Sequence, residues 1–242
     1  MKSFMLFLLL LTWVGLFVPF ATAKTLWFDQ FDDGKLDEKN YKYTKGKWIE
    51  EDGVLKQTDK ATGDPTHAII LIPDPPNELT IEAKMRIDFW VENEWARAGV
   101  AVRVNPDTSQ GLNFLFHTDH QTVQFLDDFL AWLTQAKFEW KEGKWYWLQM
   151  HVKGDTIQGK AWEGDIPDEP NKWLLEEKRP GRDKGNPALN GGSNLGGAGK
   201  ALMSFDEVSV WDSSGPTHAR GSTPVEPGGK LSATWGAIKA NP

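Results

Sequence analysis

The stretch Leu79-Thr-Ile-Glu-Ala-Lys-Met-Arg-Ile-Asp-Phe89 decides the fold. Its odd positions (Leu79, Ile81, Ala83, Met85, Ile87, Phe89) are apolar and its even positions are polar or charged. A period of two held over this length predicts a β-strand with one dry and one wet face. A helical turn would scatter Glu82, Lys84 and Arg86 around its axis, so a helix does not fit. The strand is longer than usual, which points to a broad, curved antiparallel sheet.

The same alternation recurs along the chain. In Ala96–Val104, the residues Ala98, Val100, Val102 and Val104 share a face, with Arg97 and Arg103 on the other. Leu112, Phe114 and Phe116 alternate with Asn113, Leu115 and His117. Tyr146, Leu148, Met150 and Val152 alternate with Trp145, Trp147, Gln149, His151 and Lys153. Shorter strands are expected at 26–31, 46–49, 54–58, 68–72, 122–126, 129–133 and 156–162, with a last one at 201–211. Turn signals separate them, among them Asp52-Gly53, Asn105-Pro106-Asp107 and Gly154-Asp155. No long amphipathic helix competes. The pattern predicts an all-β fold, a two-sheet antiparallel jelly-roll sandwich with a flexible C-terminal tail.

Both ends read differently from this body. Lys2, the apolar run Phe4–Phe20 and Ala21-Thr22-Ala23 predict a secretory signal peptide over residues 1–23. The expected location is therefore outside the cytoplasm: periplasmic, cell-surface or extracellular. The sandwich domain is expected over 24–212, and no transmembrane segment is expected in the mature chain. Residues 213–242 read as a linker and tail, in which Leu231, Trp235 and Ile238 can share a short helical face. Residues 230–239 are thus either a docking segment for a partner or a frayed end. Pro180–Lys200, rich in glycine, is expected to be a long flexible loop.

Composition narrows the function. The net charge is −7, and losing Lys2 makes the mature chain about −8, which argues against nucleic acid as a partner. Without cysteine there is no disulfide framework, and the five histidines form no H-E-x-x-H motif. Serine-protease, phosphate-loop and dinucleotide signatures are absent as well. Of thirteen tryptophans, twelve remain after the leader, against three tyrosines. Tryptophan offers large apolar area and a flat face on which sugar rings stack, although core filling accounts for most such residues.

Four segments in order carry a resemblance: Phe28–Gly34, Gly46–Leu55, Trp95–Val104 and Phe205–Val210. Together they resemble the concanavalin A-like lectin/glucanase superfamily, and within it the LamG-like jelly-roll domains related to 3-keto-disaccharide hydrolase domains. The resemblance implies one concave and one convex sheet and a structural calcium (Ca2+) ion near the paired first and last strands. Asp29, Asp32, Asp33 and Asp206 are the matching candidates. Met203 and Phe205 are odd while Val208 and Val210 are even, so a bulge near Asp206 is expected to re-aim it. Solvated edge charges are the alternative use of these aspartates.

Glucanases of this superfamily place acids at E-x-D-x-E spacing on one strand face, and this chain has no such motif. Glu82, Lys84 and Arg86 occupy a comparable face with basic residues where acids are needed. The wet-face residues Arg97, Arg103, Asn113, His117, Trp147, Gln149 and His151, with Trp95, are expected to gather on the concave face. Such a set suits non-catalytic binding of a carbohydrate or glycoconjugate. A second reading is a 3-keto-disaccharide hydrolase-like enzyme with His117, His151 and Arg97 as its reactive groups. A third is a structural or adhesion module that binds protein.

Overall fold

A computed structural model of the chain describes residues 23–59, 66–91, 96–117, 121–128, 130–192 and 200–212. Residues 1–22 of the segment read as a signal peptide, Trp95, residues 193–199 of the glycine-rich segment and residues 213–242 lie outside the described residues. Among those described, no helix is long and apolar enough to cross a membrane.

Among the described residues, fifteen strands form two antiparallel sheets. They are β1 (Thr25–Asp29), β2 (Tyr41–Tyr43), β3 (Trp48–Glu51), β4 (Val54–Gln57), β5 (His67–Ile70), β6 (Leu79–Val91), β7 (Ala98–Val104), β8 (Leu112–His117), β9 (Thr122–Asp127), β10 (Ala131–Lys137), β11 (Trp145–Lys153), β12 (Thr156–Glu163), β13 (Leu175–Lys178), β14 (Asn186–Asn190) and β15 (Lys200–Trp211). Sheet A has the order β13-β12-β11-β6-β15-β4-β3, with β1 also paired to β15. Sheet B has the order β10-β9-β8-β7-β14-β5-β2. This is the jelly-roll sandwich that the alternation predicts, closed by its first and last strands lying side by side.

Strand β6 lies between β11 and β15 in sheet A and sends Leu79, Ile81, Ala83, Met85 and Ile87 into the core. They meet Val100, Val102, Phe114, Phe116 and Phe125 of sheet B in one apolar cluster. Each large aliphatic or aromatic side chain buried in this way contributes about 1.5–3 kcal/mol. The alternation breaks after Ile87, where β15 shifts register between Leu202 and Met203. Trp90, not Phe89, is then the buried ring, packed edge-on against Trp140 at 4.7 Å.

Two expectations are corrected. The segment 180–200 is not wholly loop: β14 runs through it and lies between β7 and β5, fully buried. Asn186-Pro-Ala-Leu-Asn190 lacks the β-branched residues that mark a strand, so its placement rests on tertiary pairing. Pro187 is tolerated there because the β7–β14 register shifts between Asn186 and Ala188, and a bulge needs no amide donor at that point. The second correction concerns Arg103. It stands opposite this irregularity with φ of +54°, and Val104 moves into a small apolar cluster with Ile69, Ala101 and Ala188 on the outer face of sheet B. The bulge takes Arg103 out of strict alternation.

Candidate functional site

The outer face of sheet B holds polar side chains that are buried although they point away from the core. On β8 the outward positions are Asn113, Leu115 and His117, because Leu112, Phe114 and Phe116 take the inward ones. Small residues flank them: Gly99 and Ala101 on β7 and Ala188 on β14. This leaves room for a network. Asn113 Nδ2 donates to Asp128 Oδ2 at 2.8 Å, and Asn113 Oδ1 accepts from Asn190 Nδ2 at 3.1 Å. His67 Nε2 also lies 3.1 Å from Asn113 Oδ1, while its Nδ1 faces the Ser109 carbonyl. Gly111 N donates to Asp128 Oδ2 at 3.1 Å.

Above this floor lies a stack of charged and aromatic groups. Trp132 sits opposite Leu126 on edge strand β10, where the register with β9 shifts. Its half-buried ring lies 4.1 Å from the His117 ring and 5.5 Å from the Arg97 guanidinium. Arg97 Nη2 is 3.9 Å from Asp128 Oδ1. Burial pushes the Arg97 guanidinium down from its ordinary pKa, and Asp128 opposes that shift. The neighbouring Asp127 is clamped by Arg179 Nε at 2.8 Å and Arg182 Nε at 2.7 Å. Arg182 also donates to the Asp128 carbonyl, which fixes the backbone that carries the carboxylate.

The expected residue set is split in two. Arg97, Asn113 and His117 come together on sheet B, but Trp147, Gln149 and His151 stand on β11 in sheet A, on the opposite side of the sandwich. Arg103 joins neither group: its guanidinium donates to the carbonyls of Arg182 and Asn77 and ties two connections together. Asp128, His67, Asn190 and Trp132 were missed by the sequence reading. Leu112 pairs with Asp127 in the β8–β9 hairpin, so working out that register would have placed Asp128 beside Gly111 and Asn113.

On sheet A the chain covers its own outer face. The connection between β12 and β13, with a 3-10 turn at Ile166–Asp168, supplies partners for the polar groups beneath it. Lys160 donates to Glu169 and to the Pro170 carbonyl, and Trp162 Nε1 donates to the Asp165 carbonyl. Trp147 stacks on Trp162 at 6.0 Å, and Trp173 stacks on His151 at 5.9 Å. Gln149 donates to Glu82, and His151 Nδ1 meets Thr80 Oγ1 at 2.9 Å. The even positions Thr80 and Glu82, expected to be wet, are therefore buried. Burial also pushes the His151 imidazole down from its ordinary pKa, partly offset by Glu78.

The aspartates expected to hold calcium do not assemble into a fitting set. A bulge falls between Phe205 and Glu207, but it leaves Asp206 paired with Lys84 at 2.6 Å rather than aimed at the first strand. Asp29 accepts from Phe31 N at 3.1 Å and from the Tyr41 hydroxyl at 3.3 Å. Asp33 lies near Glu50, and burial together with that neighbour raises the Glu50 carboxyl to about 7. Among the described residues no group of three or more His, Cys, Asp or Glu side chains is arranged to hold a metal ion.

No protein-family model matches the chain, and no curated protein matches it. Solved structures do. A laminarinase from Flavobacterium sp. UMI-01 superposes with a TM-score of 0.53 at 13% identity, over 78% of this chain and 100% of that one. The GH43 protein BlXynB from Bacillus licheniformis (K247S mutant) gives 0.53 at 13% identity, over 76% of this chain and 39% of that one. The Bacteroides ovatus xyloglucan PUL GH43B gives 0.53 at 16% identity, over 76% and 38%. The chain thus spans the whole of the first protein's matched chain and about two fifths of each GH43 protein. At these identities what is shared is the fold.

Proposed function

We propose that this chain binds a carbohydrate or glycoconjugate, without catalysis, on the outer face of sheet B. One observation carries the reading. Arg97 and His117 both lie against the half-buried Trp132 ring, over a connected buried network of Asn113, Asp128, His67 and Asn190. An aromatic face for stacking beside fixed donors and acceptors suits a sugar ring. The fold shared with a laminarinase and GH43 proteins supports the substrate class. The engaged carboxylates support a non-catalytic role: two arginines clamp Asp127, while Asn113 and Gly111 hold one oxygen of Asp128. Retaining glycoside hydrolysis instead needs a pair of carboxyl groups poised about 5–5.5 Å apart across the bond. The apolar N-terminal segment supports an exported setting.

The test is binding of the mature protein to a glycan panel, repeated with Trp132→Ala. Binding that weakens in the variant, with no turnover of the bound glycan, supports the reading. Equal binding by both proteins, or none by either, contradicts it.

A second reading draws on the same stack. Elimination beside a ketone needs a base for the α-proton and a cation for the enolate, and His117 and Arg97 flank one ring. His151 takes no part in this version, since it lies on the other sheet. Consumption of a 3-ketoglycoside, abolished in His117→Ala, would replace binding by catalysis.

A further inference from the structure

We propose that leader cleavage after Ala23 creates a charged partner for Asp212, so that processing itself completes the seam between the first and last strands. The inference rests on the reading of residues 1–23 as a signal peptide and is independent of what sheet B binds. The backbone nitrogen of Lys24 donates to Asp212 Oδ1 at 2.8 Å. Asp212 N donates in return to the Lys24 carbonyl at 3.1 Å. The residue that opens the mature chain is thus clasped to the residue that follows β15. Strand β1 depends on such a clasp, because it pairs with β15 alone and is only half-buried along its length. Its register shifts between Thr25 and Trp27, so the clasp holds the strand beyond the irregularity. What it keeps in place is Trp27, which packs on the core and donates from Nε1 to the Tyr41 hydroxyl at 2.9 Å.

In the uncleaved chain Lys24 N is a peptide nitrogen with one hydrogen and no charge. Hydrolysis by a leader peptidase adds water across the Ala23–Lys24 bond. The Ala23 carbonyl carbon takes the hydroxyl and departs with the leader as a carboxylic acid. Lys24 N takes the other hydrogen and then the proton that this acid releases, and so becomes an ammonium. An α-amine has an ordinary pKa of about 7.7–8.0, so the new terminus is charged at neutral pH and below. The neutral hydrogen bond to Asp212 becomes a charge-assisted one at the same atom, and such bonds are roughly twice as strong. The clasp answers to one cleavage point only. A cut one residue earlier leaves Lys24 N an uncharged amide, and a cut one residue later removes it. The pair is exposed, so its effect is modest and is read best in β1 itself.

The full chain is expressed with its own leader in a secreting host, and the N-terminus of the exported protein is sequenced. Lys24 is expected as its first residue. Four mature proteins are then compared at pH 6: chains that begin at Lys24 or carry Gly-Ser before it, each with Asp212 or with Asp212→Asn. The readout is hydrogen exchange at the backbone amides of Trp27, Phe28 and Asp29. Adding Gly-Ser is expected to speed their exchange about two- to fivefold, the effect of losing an exposed ion pair. With Asp212→Asn in place, the extension is expected to change little. Should that variant unfold, the two chains that keep Asp212 decide alone. An exported protein that begins at any other residue overturns the processing reading, and the proposal with it. Equal exchange with and without Gly-Ser overturns the ion pair and leaves cleavage after Ala23 intact. An extension effect that persists in folded Asp212→Asn does the same.

Discussion

The two outer faces of the sandwich carry similar side chains and use them in opposite ways. Each has buried charge, a histidine against a tryptophan, and amides bonded to carboxylates. On sheet A the β12–β13 connection brings Glu169, Pro170 and Asp165 to Lys160 and Trp162, so the face is closed by its own chain. On sheet B the half-buried Trp132 forms the cover, and Asp128 keeps an oxygen without a donor among the described residues. Buried polarity alone therefore does not mark a site. The faces differ in what is left over: beneath the sheet A cover it is the Trp147 indole N–H, a neutral donor, and on sheet B it is a carboxylate oxygen of Asp128.

The largest expected effect breaks the closed face. Lys160→Met leaves Glu169 buried without its cation and should cost about 3–5 kcal/mol of unfolding free energy, read by chemical denaturation. Glycan affinity measured well below the melting point should not change, because Lys160 serves sheet A only. A parallel loss of affinity would show that the two faces are not independent.

A smaller effect is read from pH. Burial lowers the His151 pKa below its ordinary 6.5, so below that pH the folded state binds fewer protons than the unfolded chain. Stability is then full above about pH 6.5 and falls as the pH drops towards the lowered value. His151→Gln should flatten this acid-side decline in a series of melting curves. An unchanged slope would assign the decline to other groups.

The smallest expected effect is none. Asp206 is paired with Lys84, and both oxygens of Asp29 are engaged, so EDTA should leave the melting temperature of the mature protein unchanged. A clear drop would restore a calcium ion to the account.

The contrast between the faces also shows what the sequence could convey. Alternation from Leu79 to Ile87 states which side chains face the core, and that part of the fold was legible because the period is local. Alternation does not say which sheet a strand joins. Arg97 and His151 both read as wet-face residues, yet Arg97 leads into β7 while His151 lies on β11, and these strands belong to different sheets that only long-range pairing separates. Arg103 was misplaced for a related reason: its bulge arises opposite Pro187, a partner far along the chain. Strand β14 was hidden because Asn186 and Asn190 are polar, and their side chains find partners on distant residues, Ile72 and Asn113, that local sequence does not reveal. Asp128 was the most recoverable omission, since the β8–β9 hairpin register places it beside Asn113.

The most direct test compares one tryptophan from each face. Glycan affinity and unfolding free energy are measured for Trp132→Ala and Trp147→Ala. Trp132→Ala should weaken binding by roughly two- to tenfold, from a ring contribution of about 0.5–1.5 kcal/mol, with little loss of stability. Trp147→Ala should lose about 3–5 kcal/mol of stability and bind as the wild type does while folded. The reverse pattern, with affinity lost in Trp147→Ala and kept in Trp132→Ala, would place the ligand on sheet A and contradict the account.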